Sequence, residues 1–478
     1  MIGTVDLLDT NGQRNPNGLA LHDYRTSEKF SFAELDQRVA EISAKLNHQG
    51  IGPGDRVGVC SEHGWPFVGV VHAIWRCGGC CVPIDPNLPA EQIRERCNRV
   101  NGSVILTRKD IQDFPTISFD ALDESAIDGI APQVADRTSV DDAAILFTSG
   151  STGTARPVRL TDKNLLASAL ASTSRLGTEP TDRWLSCLAP YHMGGFAPIV
   201  RAMLNGSGLV TAPFSFETIT SAITESRATV LSLVPTMLRR CLENDVPLHE
   251  LRVLLVGGDR TPPELIERTI SHDIPIYVTY GMTEASSQIA TATPELSKID
   301  VETVGRPLRW TTVTVESNDE EGELRVQGPT ITPGYVDTRD SDRITDNGCL
   351  RTGDSGYVRD GYVYVTGRID DRIVSGGVTV DLKAVETKIR THPSVRDAAV
   401  IGVSDTEWGE RIHAVVVWND SAPGDIDSFL ASTLRPAARP KRIDQIESIP
   451  RTASGTIDRT AVYEYLCETG SLEPDGET

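Results

Sequence analysis

Ile145-Leu-Phe-Thr148-Ser149-Gly150-Ser151-Thr152-Gly153-Thr-Ala-Arg156-Pro-Val158 runs an apolar strand straight into a loop of hydroxyls and glycines closed by one arginine. Each part suits an anion. Glycines let backbone N–H groups approach a phosphate, hydroxyls add donors, and Arg156 offsets negative charge. A Walker loop would need GK[ST] opening a helix, and this stretch has none, so the chain is not a P-loop NTPase. Taken alone, a Ser/Thr/Gly loop of this kind also reads as an ordinary turn.

Outward from this strand the pattern is regular. RVGVC, SVILTR, GLVTAP, TVLSLV, RVLLVGG and PIYVTYG are short apolar runs separated by helical spacing. Strands apolar on both faces that alternate with helices predict an α/β architecture with largely parallel sheets. In SFAELDQRVAEISAKLNHQ (31–49), Leu35, Val39, Ile42 and Leu46 fall on one helix face, and Ser31 with Glu34 forms a capping signature. After about residue 305 the texture becomes antiparallel: TTVTVES, GELRVQG, GYVRDG and YVYVTGR are short strands joined by Asn, Asp and Gly turns. Beyond Asp370 a helix, two strands and a further helix predict a separate small α+β domain.

Composition narrows the function. The 478 residues carry a net charge of −21, which argues against a nucleic-acid partner. Hydrophobic residues at 39% and charged residues at 24% describe a globular protein. Only 8 of the 46 basic residues are lysine, and a carboxylate-rich, lysine-poor surface suits high salt, so a halophilic source is expected. The opening residues lack a basic start followed by an apolar run, and no stretch reaches the ~20 apolar residues of a membrane span. A cytoplasmic location is expected. The nine cysteines form no disulfide framework, and Cys77, Cys80 and Cys81 read as buried thiols around a helix end and a strand start.

The order of further motifs is more specific. TSGSTGTARPV is followed by Tyr280-Gly281-Met282-Thr283-Glu284, then Gly322-Glu-Leu, Gly334-Tyr335, Thr352-Gly-Asp354, Gly367-Arg368-Ile-Asp370-Asp371 and Ser375-Gly376-Gly377. This series resembles the adenylate-forming superfamily of acyl-CoA synthetases, peptide-synthetase adenylation domains and luciferases, over nearly the whole chain. The resemblance implies a large N-terminal domain (1–369) of two α/β layered subdomains with a small barrel-like β subdomain at about 305–369. It further implies a hinge at Asp370 and a mobile α+β lid at 371–478. It assigns Thr148 to Gly153 to the ATP phosphates, and Gly257, Gly258 and Asp259 to the adenine turn with Tyr280, Gly281 and Met282. Thr283 would meet the α-phosphate, Glu284 would hold Mg²⁺, and Asp354 with Arg368 would bind the ribose. The implied cofactors are ATP, Mg²⁺ and coenzyme A, the last as a substrate.

Substrate choice and one departure complete the reading. Pro190-Tyr-His192-Met-Gly-Gly195 resembles the segment whose histidine gates the acyl pocket. The run from Tyr280 through Ser287 and Gln288 to Glu295, with Val304-Gly-Arg-Pro307, is similar to the o-succinylbenzoate–CoA ligases of menaquinone synthesis. Gly281, Ser287 and Gln288 are therefore pocket candidates for an aromatic acid with a second carboxylate, although a helix-start capping role fits them too. Ser375, Gly376 and Gly377 have the small side chains a narrow passage for coenzyme A requires. The family's C-terminal PRTxxGK reads here PRTASGT, with Thr456 in place of lysine. Threonine supplies no charge, a loss of ~2–4 kcal/mol by analogy with removing an oxyanion donor. Either another cation substitutes, with Arg451 and Arg459 near in sequence, or the chain is a weakly catalytic or non-catalytic relative. Another aryl- or acyl-CoA synthetase is the nearest alternative. No feature of the sequence bears on oligomeric state.

Overall fold

A computed structural model describes residues 6–123, 135, 138, 140–148, 155–316, 320–337, 343–344, 347–369, 371–375, 377–405, 408–419, 425–451 and 457–472. Two large sheets form the body. A six-stranded sheet takes the order Thr116–Ser118, Val104–Thr107, Arg56–Cys60, Cys80–Ile84, Asp142–Thr148, Arg156–Thr161. Only its last pairing is antiparallel. A nine-stranded sheet has a parallel centre in which Arg183–Ser186, Val230–Leu233, Val253–Val256 and Ile276–Met282 lie side by side. Val230–Leu233 and Val253–Val256 are buried at every position, as expected of strands covered by helices on both faces. The helix Phe32–His48 starts with the capping box of Ser31 and Glu34, worth ~1 kcal/mol, and buries Leu35, Val39, Ile42 and Leu46.

The change of texture after residue 305 is a four-stranded antiparallel meander: Thr312–Glu316, Gly322–Gln327, Leu350–Arg359, Tyr362–Arg368. From Arg372 onward a separate five-stranded sheet carries the helices Leu382–Arg390, Ile426–Thr433 and Arg459–Glu468, with its own apolar clusters. The order is thus parallel α/β, antiparallel β, then α+β. Cys77, Cys80 and Cys81 are buried, and burial raises the thiols of Cys77 and Cys81 above their ordinary range, as befits thiols packed in a core. No helix among the described residues is long and apolar enough to cross a membrane.

Candidate active site

The C-terminal ends of parallel strands are where α/β sheets bind ligands. Val253–Val256 leads into Gly257, Gly258 and Asp259. A Cβ on Gly257 would lie 2.5 Å from Thr279 Cγ2 on the next strand, and Gly258 has φ +85°, so both glycines are demanded by the backbone. Asp259 accepts from the backbone N–H of Arg260 and pairs with Lys383, which lies on the helix Leu382–Arg390 of the last sheet. The neighbouring strand, Ile276–Met282, ends in Tyr280, Gly281 and Met282. A Cβ at Gly281 would meet Ser287 O at 1.9 Å, so this bulged crossing tolerates only glycine.

Tyr280 reaches across to the antiparallel sheet, where its hydroxyl donates to Asp354 Oδ2 at 2.6 Å. Asp354 and Arg368 are cross-strand partners, with Arg368 Nε 3.7 Å from Asp354 Oδ1. Burial raises the Asp354 carboxyl above its ordinary range, against the pull of Arg368, the Tyr280 hydrogen bond and Arg343. Burial, and then the Asp354 charge, push the Tyr280 phenol well up. A buried carboxylate beside a partly exposed guanidinium suits the hydroxyls of a sugar.

Thr283 opens the short turn Thr283–Ala285, and this turn carries Glu284 inside the protein at 4% exposure. Glu284 Oε1 accepts from the Tyr335 hydroxyl at 3.0 Å, while its backbone oxygen accepts from Thr332 N–H at 2.8 Å. Oε2 has no bond among the described residues. Arg156 lies with its guanidinium carbon 5.9 Å from the Tyr335 ring centre, so Arg156, Tyr335 and Glu284 form one file. Burial, and then Glu284, raise the Tyr335 phenol, while Arg156 and Arg343 pull it down. Thr148 ends the strand Asp142–Thr148, and its hydroxyl is buried without a partner among the described residues. Ser149, Gly150, Ser151, Thr152 and Gly153, together with Asp370, Gly376 and Thr456, lie outside the described residues.

The acyl-pocket candidates divide. Ser286 and Ser287 take φ +55° and +119°, a strained pair in the region that favours glycine. The Ser287 hydroxyl accepts from Arg201 Nη2 at 2.9 Å. Gln288 instead spends its amide internally, accepting from Ser172 at 2.6 Å and donating to Thr291 at 2.8 Å, so it braces the turn. His192 stands at the N-terminal boundary of the helix Met193–Asn205, with no side-chain capping bond, and packs 4.9 Å from the Tyr191 ring. A narrow crevice beside this helix is lined by Leu165, Ser168, Met193, Ala197, Arg201 and Ser286. In the last sheet, Ser375 is buried with no hydrogen-bond partner for its hydroxyl among the described residues, and Gly377 has φ +77° in open space.

Arg201 is the residue the motifs miss. It is 3% exposed, stacks 5.1 Å over the Trp184 ring, and has no carboxylate in ion-pairing range among the described residues. Burial alone lowers its guanidinium to about 9. A sequence signal exists: Arg201 is the sole charged residue between Arg183 and Glu217. The two arginines proposed to replace the missing lysine are both held within the last sheet's domain. Arg451 binds Asp397 at 2.6 Å, and Arg459 binds Glu386 at 2.7 Å with Asp371 at 3.7 Å.

A hydroxyl-rich strand end, a buried carboxylate turn and a carboxylate–guanidinium pair are the parts of an adenylate-forming enzyme. The family model for the AMP-binding enzyme matches residues 8–336 and that for the AMP-binding enzyme C-terminal domain matches 384–456, and the chain belongs to this family. Among its relatives is the 2-succinylbenzoate–CoA ligase of Bacillus cereus strain Q1, 32% identical over 459 residues, covering 92% of this chain and 95% of the relative. The o-succinylbenzoate CoA synthetase of Bacillus subtilis, solved with its acyl-adenylate intermediate, superposes with a TM-score of 0.91 at 27% identity over 100% of both chains. The same synthetase solved with ATP and magnesium ion gives 0.88 at 27% identity, over 96% of this chain and 99% of that one.

Proposed function

We propose that this chain is an ATP- and Mg²⁺-dependent acid–CoA ligase that converts o-succinylbenzoate to o-succinylbenzoyl-CoA, a step of menaquinone synthesis. The observation that carries the choice of acid is Arg201. A buried cation lacking a carboxylate of its own, held on Ser287 beside the Glu284 turn, is complementary to a substrate that brings a second carboxylate. Adenylation joins a carboxylate oxygen to the α-phosphorus as the bond to pyrophosphate breaks. The coenzyme A sulfur then attacks the acyl carbonyl and AMP leaves. In this reading Asp354 and Arg368 hold the ribose, Tyr280 and the 257–259 turn hold the adenine, and Thr283 and Arg156 face the phosphates. Glu284 fits a hard cation, because its Oε1 is fixed by Tyr335 while Oε2 is left to bind, and Mg²⁺ would supply charge neutralisation at the phosphates. His192 borders the acyl pocket. Residues 371–478 act as a lid hinged at Asp370 that brings Ser375 to Gly377 over the adenylate for the thiol step.

Acid-dependent pyrophosphate exchange tests this directly. Exchange with o-succinylbenzoate well above that with benzoate supports the reading, and the reverse order sinks it. Absence of exchange with every acid favours a non-catalytic relative, which Thr456 motivates. The acidic, arginine-biased surface supports a cytoplasmic enzyme of a high-salt organism.

A further inference from the structure

Arg343 lies between the Gly334-Tyr335 and Thr352-Gly353-Asp354 segments, and neither motif includes it. Gly353 has φ +71°, and a Cβ built on it would stand 3.2 Å from Arg343 Nη2 and 3.4 Å from Arg368 Nη2. Two guanidinium groups therefore converge over one glycine. Arg368 has Asp354 as its neighbour at 3.7 Å, and Asp354 is also taken by Tyr280. Arg343 is half-buried and has no carboxylate in ion-pairing range among the described residues. Beside Gly353, its charge is felt at both Asp354 and Tyr335, so it stands within electrostatic reach of the sugar-binding pair and of the Glu284 file. Like charges brought together around a single carboxylate leave room for one more anion.

The position identifies that anion. A nucleotide with its ribose on Asp354 and its metal on Glu284 must run its α-phosphate between the two. We infer that Arg343 is a catalytic residue that binds the α-phosphate of the adenine nucleotide, supplying the positive charge that Thr456 cannot. This rests on the acid–CoA ligase reading for its reaction. During adenylation the electron pair of the breaking bond leaves with pyrophosphate. Arg343 keeps its protons and donates hydrogen bonds to the non-bridging oxygens, whose charge grows in the transition state. Arg451 and Arg459 are committed to Asp397, Glu386 and Asp371, so neither competes for this role.

The test uses the full chain with Arg343→Gln and Arg343→Lys, measuring AMP and adenosine affinities by calorimetry and o-succinylbenzoate-dependent pyrophosphate exchange. Arg343→Gln is expected to weaken AMP at least tenfold and leave adenosine within twofold. Exchange should fall ~100-fold, with KM for the acid within threefold. Arg343→Lys should recover at least a tenth of the wild-type exchange rate. AMP affinity within twofold of wild type, or equal losses for AMP and adenosine, overturns the inference. If Arg343→Gln does not fold, the AMP-to-adenosine affinity ratio of Arg343→Lys decides, with a threefold or larger drop expected and an unchanged ratio refuting. Wild-type protein that exchanges with no acid would overturn the ligase reading alone, because the AMP-to-adenosine comparison needs no acid.

Discussion

Replacing Arg201 with methionine is expected to damage recognition of o-succinylbenzoate without destabilising the protein. Removing one partner of a desolvated charge pair costs ~2–5 kcal/mol, and a middle value of ~3 is about 150-fold in kcat/KM. Stability moves the other way. Replacing a buried ion by an apolar side chain of similar volume gains ~1–4 kcal/mol. Against this stand the lost stacking on Trp184, ~0.5–2 kcal/mol, and the lost hydrogen bond to Ser287, ~1.5 kcal/mol. The balance is near zero or slightly favourable, so the ligand-free Tm should hold or rise by about a few degrees. The pH dependence has a definite sign. Burial lowers the folded-state guanidinium to about 9, so the charge counts against the fold below that pH. Wild type should therefore gain stability relative to the variant as pH rises above about 9. The assays are steady-state thioester formation with o-succinylbenzoate and with benzoate, and thermal melts at neutral and alkaline pH. An equal loss with both acids, or none with o-succinylbenzoate, would show that Arg201 does not recognise the second carboxylate.

Three further outcomes are expected. Asp354→Asn should raise Tm at neutral pH, because a carboxyl whose folded pKa is raised by burial contributes stability at low pH and loses it as pH rises; melts showing a lower neutral Tm contradict this. Tyr335→Phe removes the bond that orients Glu284, and the Mg²⁺ concentration for half-maximal pyrophosphate exchange should rise about tenfold, the scale of losing a partner that orients a metal ligand. An unchanged Mg²⁺ titration would show that Tyr335 does not position the ligand. Tm should climb with KCl up to molar concentrations, since screening relieves repulsion at a net charge of −21; a salt-independent Tm argues against a halophilic source.

Much of this molecule can be read along the chain, for identifiable reasons. The strands around Val230–Leu233 and Val253–Val256 are legible because burial on both faces leaves them continuously apolar. The helix Phe32–His48 is legible because its cap and its 3.6-residue period agree. Tyr280, Glu284, Asp354 and Arg368 stand out because each sits in a short motif of fixed spacing. Arg201, Tyr335 as a brace for Glu284, and Arg343 do not. Their significance lies in what surrounds them: a missing carboxylate, a partner 51 positions away, and a second guanidinium over a shared glycine. Arg451 and Arg459 show the converse. Proximity to Thr456 in sequence suggested a role, but carboxylates from other elements already hold both side chains.

The most direct measurement is product analysis of one reaction containing the enzyme, o-succinylbenzoate, ATP, Mg²⁺ and coenzyme A. The expected products are o-succinylbenzoyl-CoA, AMP and pyrophosphate in equal amounts, with o-succinylbenzoyl-adenylate accumulating when coenzyme A is withheld. ADP and phosphate as products, or no adenylate and no thioester, would contradict the proposed ligase activity.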